Sequence, residues 1–169
     1  MKKLLFLALV FIVFTASAQE NLSYQKPPKE ILELVDVERA PGVMIDEDKT
    51  YMLLLYRDAY KSIEVLSQKE LRLAGLRIDP KTNIGSRTTY YNNLRIKYLD
   101  SKEGKIVDIE GMPDVPRFAN LSYSPDQKMI ALTNTTPDGV ELWVLDIEKA
   151  AIKKLTAPTI NANMRSVIS

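Results

Sequence analysis

The stretch Leu121–Thr156, LSYSPDQKMIALTNTTPDGVELWVLDIEKAAIKKLT, decides how the rest of the chain is interpreted. It predicts four short strands, because β-prone runs alternate in it with turn-forming residues. The runs are Leu121–Ser124, Met129–Asn134, Val140–Asp146 and Ala151–Leu155. Pro125 and Gly139 lie in two of the turns that reverse the chain between these runs. Four antiparallel strands joined by tight turns are typical of one blade of a β-propeller, which must stack on other blades to bury both of its faces.

A degenerate copy of this pattern precedes it in the chain. Its four strands are predicted at Val43–Asp46, Tyr51–Tyr56, Leu94–Asp100 and Lys105–Ile109. Asp48 aligns with Asp126, whereas Asp100 aligns with Asp146 at a much shorter spacing. The shorter spacing fits a blade-sized repeat of about 40–50 residues. The difference between the two spacings predicts an insertion between the second and third strands of the first copy.

The insertion, residues 58–90, is predicted to contain a short helix and a hairpin. Ser62 can cap a helix that ends at about Gln68. Residues 70–79 alternate apolar and basic side chains, and Gly75 is predicted as a bulge where the alternation slips. The apolar residues of this segment are expected to face apolar surface: Leu71, Leu73, Leu76 and Ile78. The predicted fold class is therefore all-β, an incomplete β-propeller of about two four-stranded antiparallel blades, with a short helix and hairpin inserted in the first.

The N-terminus has the pattern of an export signal. The basic pair Lys2–Lys3 precedes the apolar run Leu4–Phe14, and Ala16–Ala18 forms a cleavage pattern of small residues. The alternative, a membrane anchor, conflicts with the length of the run, because a spanning helix needs roughly 18 residues or more. We therefore expect cleavage after Ala18, a mature chain that begins at Gln19, and a periplasmic or extracellular location.

These features predict five segments. They are a signal peptide at 1–18, an N-terminal arm at 19–40 with a possible helical turn at Lys29–Val35, a first blade at 41–110, a second blade at 111–157, and the start of a third blade or an aberrant tail at 158–169.

Composition excludes several classes of function. The 23 Lys and Arg residues against 22 Asp and Glu residues give a net charge of +1, and loss of the two signal-peptide lysines changes it to −1. Neither nucleic acid nor, after signal cleavage, a membrane is therefore an expected partner. The sequence has no Cys, which excludes disulfides. It also has no His, the usual general base of serine hydrolases and the commonest metal ligand, so no cofactor or metal is expected.

Three stretches resemble a family of peptidases. YQKPPKEI (Tyr24–Ile31), SIEVLSQKELRLAGLRIDPKTN (Ser62–Asn83) and ELWVLD (Glu141–Asp146) are similar to the start of secreted bacterial serine peptidases of the prolyl-oligopeptidase family, particularly the branch that includes glutamyl endopeptidases. The resemblance covers nearly all of the chain from Tyr24 to Met164, but not Arg165–Ser169, and it is most specific in ELRLAGLRIDP.

The resemblance implies an N-terminal propeller that restricts the access of peptide substrates to a C-terminal α/β-hydrolase domain with a Ser-Asp-His triad. None of the triad can be assigned in this chain, because it has neither a G-x-S-x-G motif nor a His. Ser67 near Lys69 and Ser101 near Lys102 are candidates for a Ser-Lys pair, although nothing supplies an oxyanion hole. No catalytic residue is therefore assigned.

Other candidate binding residues each have a structural alternative. Arg72 and Arg77 could bind acidic peptide groups, but the alternation favours a solvated strand face. Trp143 could stack on a peptide, although packing between blades is the favoured role. The acidic turn Asp46–Asp48, which includes Glu47, could bind a cation, but it lacks a further ligand pattern and favours a solvated turn. Three N-glycosylation patterns, interpreted as incidental, begin at Asn21, Asn120 and Asn134.

Three functional hypotheses remain from the sequence. The favoured one is a non-catalytic propeller part of an exported serine peptidase, whose partners are peptide substrates and a C-terminal hydrolase domain missing from this chain. The alternatives are a self-standing exported propeller module that binds peptide or protein, and an enzyme in its own right. Because two blades cannot close a ring, we also expect the chain alone to be poorly soluble, oligomeric or partly unfolded.

Overall fold

The computed structural model describes residues 25–99 and 104–163, in two compact units, 1–37 and 38–169. The predicted signal peptide lies outside the described residues. In the first unit, helix α1 (Lys29–Val35) follows Pro28, whose carbonyl oxygen accepts hydrogen bonds of 3.0 Å from the backbone N–H groups of Ile31 and Leu32. The helical turn predicted at these residues is confirmed. No helix in the described part of the chain is long and apolar enough to cross a membrane.

The described part of the second unit contains one short helix and eleven strands, which form three antiparallel sheets. We name the sheet β1-β2-β6-β7 blade 1, the sheet β8-β9-β10-β11 blade 2, and the sheet β3-β4-β5 the inserted sheet. The elements are α2 (Ile63–Leu66), β1 (Gly42–Ile45), β2 (Tyr51–Tyr56), β3 (Leu71–Leu73), β4 (Leu76–Asp79), β5 (Ile84–Gly85), β6 (Asn93–Tyr98), β7 (Ile106–Asp108), β8 (Phe118–Tyr123), β9 (Met129–Thr136), β10 (Gly139–Asp146) and β11 (Ala151–Lys154). The predicted all-β class is confirmed, and the two blade-like sheets are consistent with an incomplete propeller.

The two blades share one apolar core. Alternate residues of each strand point to the same face of a sheet, and one face of each blade contributes its side chains to this core. Blade 1 contributes Tyr51, Leu53, Leu55, Leu94 and Ile96, and blade 2 contributes Phe118, Ile130, Leu132, Trp143, Leu145 and Ile152. Burial of one such side chain stabilises the folded state by about 1.5–3 kcal/mol. The contact between the blades is therefore a main source of stability.

The opposite face of each blade is partly exposed. On blade 1, Val43, Ile45 and Ile106 each expose about half of their surface, and on blade 2 Met129 does the same. In a closed propeller these faces would contact neighbouring blades. Exposed apolar surface promotes aggregation. The expectation that the chain alone is poorly soluble depends on exposed side chains of this kind.

The strand register changes the predicted alignment of the third strands. Lys49 and Gln127 lie in equivalent turns, and both have a backbone φ of 56°. When these turns are aligned, Leu55 of blade 1 corresponds to Thr133 of blade 2. Leu55 pairs with Leu94 and Thr133 pairs with Leu142, so Leu94 corresponds to Leu142. The predicted alignment of Asp100 with Asp146 would instead match Leu94 with Val140, which is wrong by two positions.

The fourth strands correspond as predicted. Lys97 is equivalent to Leu145 in the corrected alignment, and these residues pair with Ile106 and Ile152 respectively. The match of Ile106 with Ile152 agrees with the predicted alignment. The insertion between the second and third strands is therefore two residues shorter than predicted. The connection between β6 and β7 is in turn two residues longer than the equivalent connection between β10 and β11. Because the error is an even number, the same side chains point inward in both alignments, and the apolar pattern could not detect it.

The insertion contains the predicted helix and hairpin. The Ser62 hydroxyl oxygen accepts a hydrogen bond of 3.3 Å from the backbone N–H of Val65, which confirms the predicted cap. The bulge predicted at Gly75 is wrong. Ala74 and Gly75 form the two-residue turn between β3 and β4. Their backbone φ values, 46° and 88°, are both positive, as such a tight turn requires.

The apolar face of the inserted sheet is not covered by the rest of the described chain. Leu71, Leu73 and Leu76 are 49%, 59% and 47% exposed, so the prediction that they face apolar surface is wrong for these three leucines. At the other end of the sheet, Ile84 is buried against Val140 of blade 2 and Ala162. That contact attaches the insertion to blade 2.

Candidate functional site

A cavity of about 1410 Å³ opens where the insertion and the connection between the blades meet blade 2, and we name it the inter-blade groove. Its walls come from Arg57 after β2, from residues 58–62 and 88–90 of the insertion, from the connection 112–117 between the blades, and from the turn region 134–137 of blade 2. Pockets that enclose one small ligand measure about 300–1,000 Å³. The volume of the inter-blade groove lies above that range.

A buried carboxylate forms part of the groove wall. Glu141 is 6% exposed, and its Oε2 accepts hydrogen bonds from Trp143 Nε1 at 2.8 Å and from Asn134 Nδ2 at 3.3 Å. Its Oε1 accepts a hydrogen bond of 3.2 Å from Lys154 Nζ. Burial alone would raise the pKa of Glu141, but the hydrogen bonds from Trp143, Asn134 and Lys154 bring that pKa below its ordinary value. Glu141 is therefore a fixed, ionised group with its partners in place.

Trp143 has mainly a structural role. Its ring packs edge-on against Phe118 with the ring centroids 6.2 Å apart, and it belongs to the core shared by the blades. The packing role favoured from the sequence is confirmed. Because Trp143 also lines the inter-blade groove and is the one Trp of the sequence, its fluorescence can report on that groove.

Arg117 is held in the groove at both its backbone and its side chain. Its backbone N–H donates to Asn134 Oδ1 at 2.9 Å, and its carbonyl oxygen accepts from the backbone N–H of Thr135 at 3.0 Å. The guanidinium carbon lies 4.3 Å from the centroid of the Tyr90 ring, a cation–π contact. Burial raises the pKa of the Tyr90 hydroxyl, although Thr135 and the charge of Arg117 act in the opposite direction. Tyr90 therefore remains a neutral surface beneath Arg117.

Several charged side chains of the groove have no ion pair within the described residues. None of the carboxylates described in 25–99 and 104–163 lies within 4.0 Å of a side-chain nitrogen of Arg57 or Arg117, or of two further cations of the groove, Arg39 and Lys61. The acidic residues of the groove other than Glu141 are Asp58, Glu64 and Asp114. Asp58 Oδ1 accepts a hydrogen bond of 2.7 Å from Asn92 Nδ2.

Arg72 and Arg77, the arginines selected from the sequence, are paired within the inserted sheet. Both lie 2.8 Å from Glu70 Oε1, and the Ser86 hydroxyl donates to Glu70 Oε2 at 2.8 Å. The hydrogen bonds from Ser86 and Arg72 lower the pKa of Glu70. The structure therefore brings these two arginines together but uses them to hold Glu70, and neither lines the inter-blade groove.

The acidic turn at 46–48 has a structural role at Asp46. Its Oδ1 accepts a hydrogen bond of 2.9 Å from the Tyr51 backbone N–H, and its Oδ2 accepts from Thr50 Oγ1 at 2.8 Å and from the Thr50 backbone at 3.1 Å. Ser124 occupies the corresponding position in blade 2, and its Oγ accepts a hydrogen bond of 3.0 Å from the Met129 backbone N–H. Asp46 and Ser124 therefore close equivalent turns.

No metal site accompanies that turn in the part of the chain that the structure describes, where no group of three or more Cys, Asp or Glu side chains is arranged to hold a metal ion. Glu47 and Asp48 are exposed, as in the solvated turn favoured from the sequence, but Asp46 is buried, so that interpretation is wrong for Asp46. The backbone N–H of Glu47 donates to Gln127 Oε1 at 2.8 Å, which joins the equivalent turns of the two blades.

The remaining candidate residues have local structural partners or lie outside the described residues. The Ser67 hydroxyl donates to the Glu64 carbonyl oxygen at 3.0 Å, and Asn134 is only 2% exposed. Asn120 Nδ2 donates to Thr133 Oγ1 at 3.1 Å. The candidates that lie outside the described residues are Asn21, Ser101 and Lys102.

Sequence reasoning missed Arg117, Tyr90 and Glu141 as residues of one site. A signal existed for Glu141, since it precedes Trp143 by two positions in a predicted strand and must therefore share its face. No such signal connects Arg117 with Tyr90. They meet because the connection between the blades passes beside the end of the insertion, a tertiary arrangement that strand periodicity does not predict.

Two curated plant proteins are similar to this chain. The "Probable glutamyl endopeptidase, chloroplastic" of Oryza sativa subsp. japonica is 29% identical over 151 residues, which cover 84% of this chain and 16% of that protein. The protein of the same name from Arabidopsis thaliana is 30% identical over 152 residues, which cover 83% of this chain and 16% of that protein. The chain thus spans about one sixth of the length of these relatives. No protein-family profile and no solved structure matches it.

The similarity links the chain coarsely to peptidases. It is weak, but it extends over most of the chain, so it includes both blades and the insertion rather than one shared turn motif. The resemblance inferred from the sequence is confirmed at this coarse level.

Proposed function

We propose that this chain forms the N-terminal, non-catalytic part of the propeller of an exported serine peptidase, and that the propeller restricts which peptides reach a hydrolase domain. The observation that carries the proposal is the similarity, which extends over 84% of this chain but 16% of a relative named as a peptidase. A propeller of typically 4–8 blades needs more than the two four-stranded sheets seen here. Both facts favour a role as one part of a larger fold.

The proposal assigns the chemistry to residues other than these. Hydrolysis by a serine triad requires a His that removes the proton from the Ser, and this sequence contains no His. What the chain offers instead is the inter-blade groove, a cavity of about 1410 Å³. Its contribution would be to admit and align peptides.

Export is part of the proposal. The names of the two relatives place those proteins in chloroplasts. Chloroplast transit peptides are rich in Ser and Arg and amphipathic, whereas Leu4–Phe14 is a continuous apolar run followed by the small residues Ala16–Ala18. That pattern supports a secretory signal in this chain.

The experiment that tests the proposal is to sequence the gene beyond codon 169 in all three frames. We expect a region that encodes an α/β-hydrolase domain with a G-x-S-x-G motif, a downstream Asp and a downstream His. An unrelated gene in that position would contradict the proposal and favour the self-standing binding module.

Gating has a separate test. The polypeptide encoded by the longer gene should cleave a short peptide but not the same peptide placed within a folded protein, because the propeller admits only narrow, flexible chains. Equal cleavage of the two substrates would contradict gating while leaving the peptidase assignment intact.

A further inference from the structure

We propose that one side of the inserted sheet, which carries Leu71, Leu73 and Leu76 and which we name the leucine face, is the surface on which the hydrolase domain docks. That domain belongs to the polypeptide encoded by the longer gene, here called the longer polypeptide. The existence of the domain rests on the proposed function, whereas the choice of surface rests on the geometry of the insertion.

The leucine face is an exposed apolar surface. Residues that lie opposite each other on two antiparallel strands point to the same side of a sheet. Leu71 pairs with Ile78 and Leu73 pairs with Leu76, so all four side chains share one side. Ile78 is partly buried, whereas Leu71, Leu73 and Leu76 are 49%, 59% and 47% exposed. The same insertion contains two further exposed apolar side chains, Ile63 and Leu66 of α2.

The leucine face is directed away from blade 2. Asp79 points to the side opposite to that of its neighbour Ile78, and Ile84 pairs with Asp79. Ile84 therefore lies on the side opposite the leucines, where it is buried against Val140 of blade 2. A partner that covers the leucine face must consequently lie on the outer side of the insertion.

The charged groups of the inserted sheet lie on the other side. Arg72 and Arg77 alternate with the leucines along β3 and β4, and both are paired with Glu70 at 2.8 Å. The second oxygen of Glu70 accepts a hydrogen bond of 2.8 Å from the Ser86 hydroxyl. The contact that the leucine face offers is therefore apolar, and its partner should present an apolar patch.

The size of the leucine face favours a partner within the same polypeptide. A stable interface between separate proteins takes about 20–30 residues from each partner. Three half-exposed leucines are far fewer, so a second copy of the chain would bind weakly. A domain joined by a covalent linker can dock on a smaller surface, because its effective concentration is of the order of millimolar.

The position of the insertion identifies the hydrolase domain as that partner. The insertion connects the second and third strands of blade 1, as the turn between β9 and β10 does in blade 2, so both lie at the same end of the blades. The inter-blade groove opens at this end, since both connections line it. Further blades would pack on the faces of blades 1 and 2 rather than on the ends of their strands. A hydrolase domain that receives peptides through the groove must lie over this end, beside the leucine face.

The experiment measures how fast a thiol on the leucine face reacts with N-ethylmaleimide. The sequence has no Cys, so Leu73→Cys introduces a single thiol into the 169-residue chain. The same substitution is made in the longer polypeptide, and the modified peptide is quantified by mass spectrometry. We expect the reaction to be about tenfold slower in the longer polypeptide, because the thiol then reacts only in the undocked fraction.

Glu148→Cys is the matched control. Glu148 lies in the turn between β10 and β11, at the other end of the blades, and its side chain is 72% exposed. The thiol at position 148 should react equally fast in both polypeptides. As a second readout, Leu73→Ser should leave the melting temperature of the 169-residue chain nearly unchanged but lower that of the longer polypeptide.

A photoreactive label identifies what covers the leucine face. Benzophenone maleimide attached to the thiol at position 73 of the longer polypeptide should cross-link, on illumination, to a peptide of the hydrolase domain. A cross-link to a later blade or to a second copy of the polypeptide would name another occupant and overturn the inference.

The inference and the proposed function fail in different ways. Equal reaction rates at position 73 in the two polypeptides would show that the leucine face stays open, which would overturn the inference while the peptidase assignment stands. A gene without a hydrolase domain would refute the proposed function and, with it, the partner named for this surface.

Discussion

The Tyr51 hydroxyl donates a hydrogen bond of 2.8 Å to the backbone carbonyl oxygen of Gln127. Tyr51 is the first residue of the second strand of blade 1, and Gln127 lies in the turn that precedes the second strand of blade 2. This hydrogen bond therefore joins the two blades. Tyr51 also contacts Tyr123 edge-on, with ring centroids 6.4 Å apart. The hydrogen bond between Tyr51 and Gln127 is thus a specific polar contact at the border of the apolar core.

Tyr51→Phe should lower the free energy of unfolding by about 1 kcal/mol, because it removes one hydrogen bond and leaves the Gln127 carbonyl oxygen without that donor. Urea unfolding followed by Trp143 fluorescence measures the loss. Tyr60→Phe is the control, since Tyr60 is 72% exposed and its variant should unfold like the wild type. Equal stability of the Tyr51 variant and the control would contradict the role of this bond.

Asp46 should contribute stability that depends on pH. Burial alone would raise its pKa, but the hydrogen bonds from Tyr51 and Thr50 lower it below 3.8. A pKa that is lower in the folded chain means that ionised Asp46 stabilises the fold above its unfolded pKa of about 3.9. This contribution should be lost as the pH falls through the folded value.

The corresponding experiment compares Asp46→Ala with Asp46→Ser at pH 7 and at pH 3. The Ala variant should lose about 1–3 kcal/mol at pH 7, since it leaves the buried Tyr51 N–H without an acceptor. The Ser variant should lose less, because Ser124 closes the equivalent turn of blade 2. Both variants should lose less stability than the wild type between pH 7 and pH 3. An unchanged pH dependence in both would refute the assignment.

Glu141→Ala should lower the free energy of unfolding by about 2 kcal/mol, because Trp143 Nε1 and Asn134 Nδ2 lose their acceptor in a buried site. We also expect the emission spectrum of Trp143 to shift. Glu148→Ala is the matched control, since its pair with Lys128 is exposed and should matter little. A Glu141 variant as stable as the Glu148 variant would show that the network is not important for folding.

Ala substitutions at Gly139 and Gly75 test how closely residue 158 packs on the start of β10. Gly139 is the first residue of β10, and Gly75 lies in the turn between β3 and β4. Both have positive φ, 147° and 88°, so Ala is strained at either position. A Cβ at residue 139 would also collide with the Pro158 carbonyl oxygen, whereas none of the neighbouring atoms lies within 4 Å of a Cβ at residue 75. Gly139→Ala should therefore lower the melting temperature clearly more than Gly75→Ala. The reverse order would contradict the packing of residue 158 over the turn.

The 169-residue chain should be catalytically silent. A fluorophosphonate probe should not label it, because the sequence has no His to activate a Ser. A known serine hydrolase in the same reaction controls for the activity of the probe. Labelling of one Ser that disappears when that Ser is replaced by Ala would favour the hypothesis of an enzyme in its own right.

Most of the fold could be predicted from local signals. The Thr136-to-Gly139 turn, the alternation in Val140–Asp146 and the cap at Ser62 each depend on residues close together in sequence, and the structure contains all three. The bulge at Gly75 was wrong because a slip in alternation can indicate either an extra residue in a strand or a two-residue turn. Ala74, which adopts positive φ beside Gly75, gives no sequence signal for the choice.

The candidate site was much less predictable. Arg72 and Arg77 were visible because they alternate within one strand pair. Arg72 pairs with Glu70 only two residues away, whereas the pairing of Arg77 with Glu70 depends on the hairpin folding back. Arg117 and Tyr90 are separated by the whole of blade 1's last two strands, so their contact depends on how two sheets pack. Long-range packing of this kind requires the structure.

The two extra residues between β6 and β7 suggest how propeller repeats can diverge in length. A strand whose pairing slips by two residues keeps every side chain on its original side of the sheet, whereas a slip of one turns core residues outward. A connection between strands can take up an odd or an even number of added residues without moving the paired ones. Lys97 and Ile106 therefore pair as Leu145 and Ile152 do, although two more residues separate them. Differences in length between related sequences should accordingly collect in such connections, while the strands keep their length.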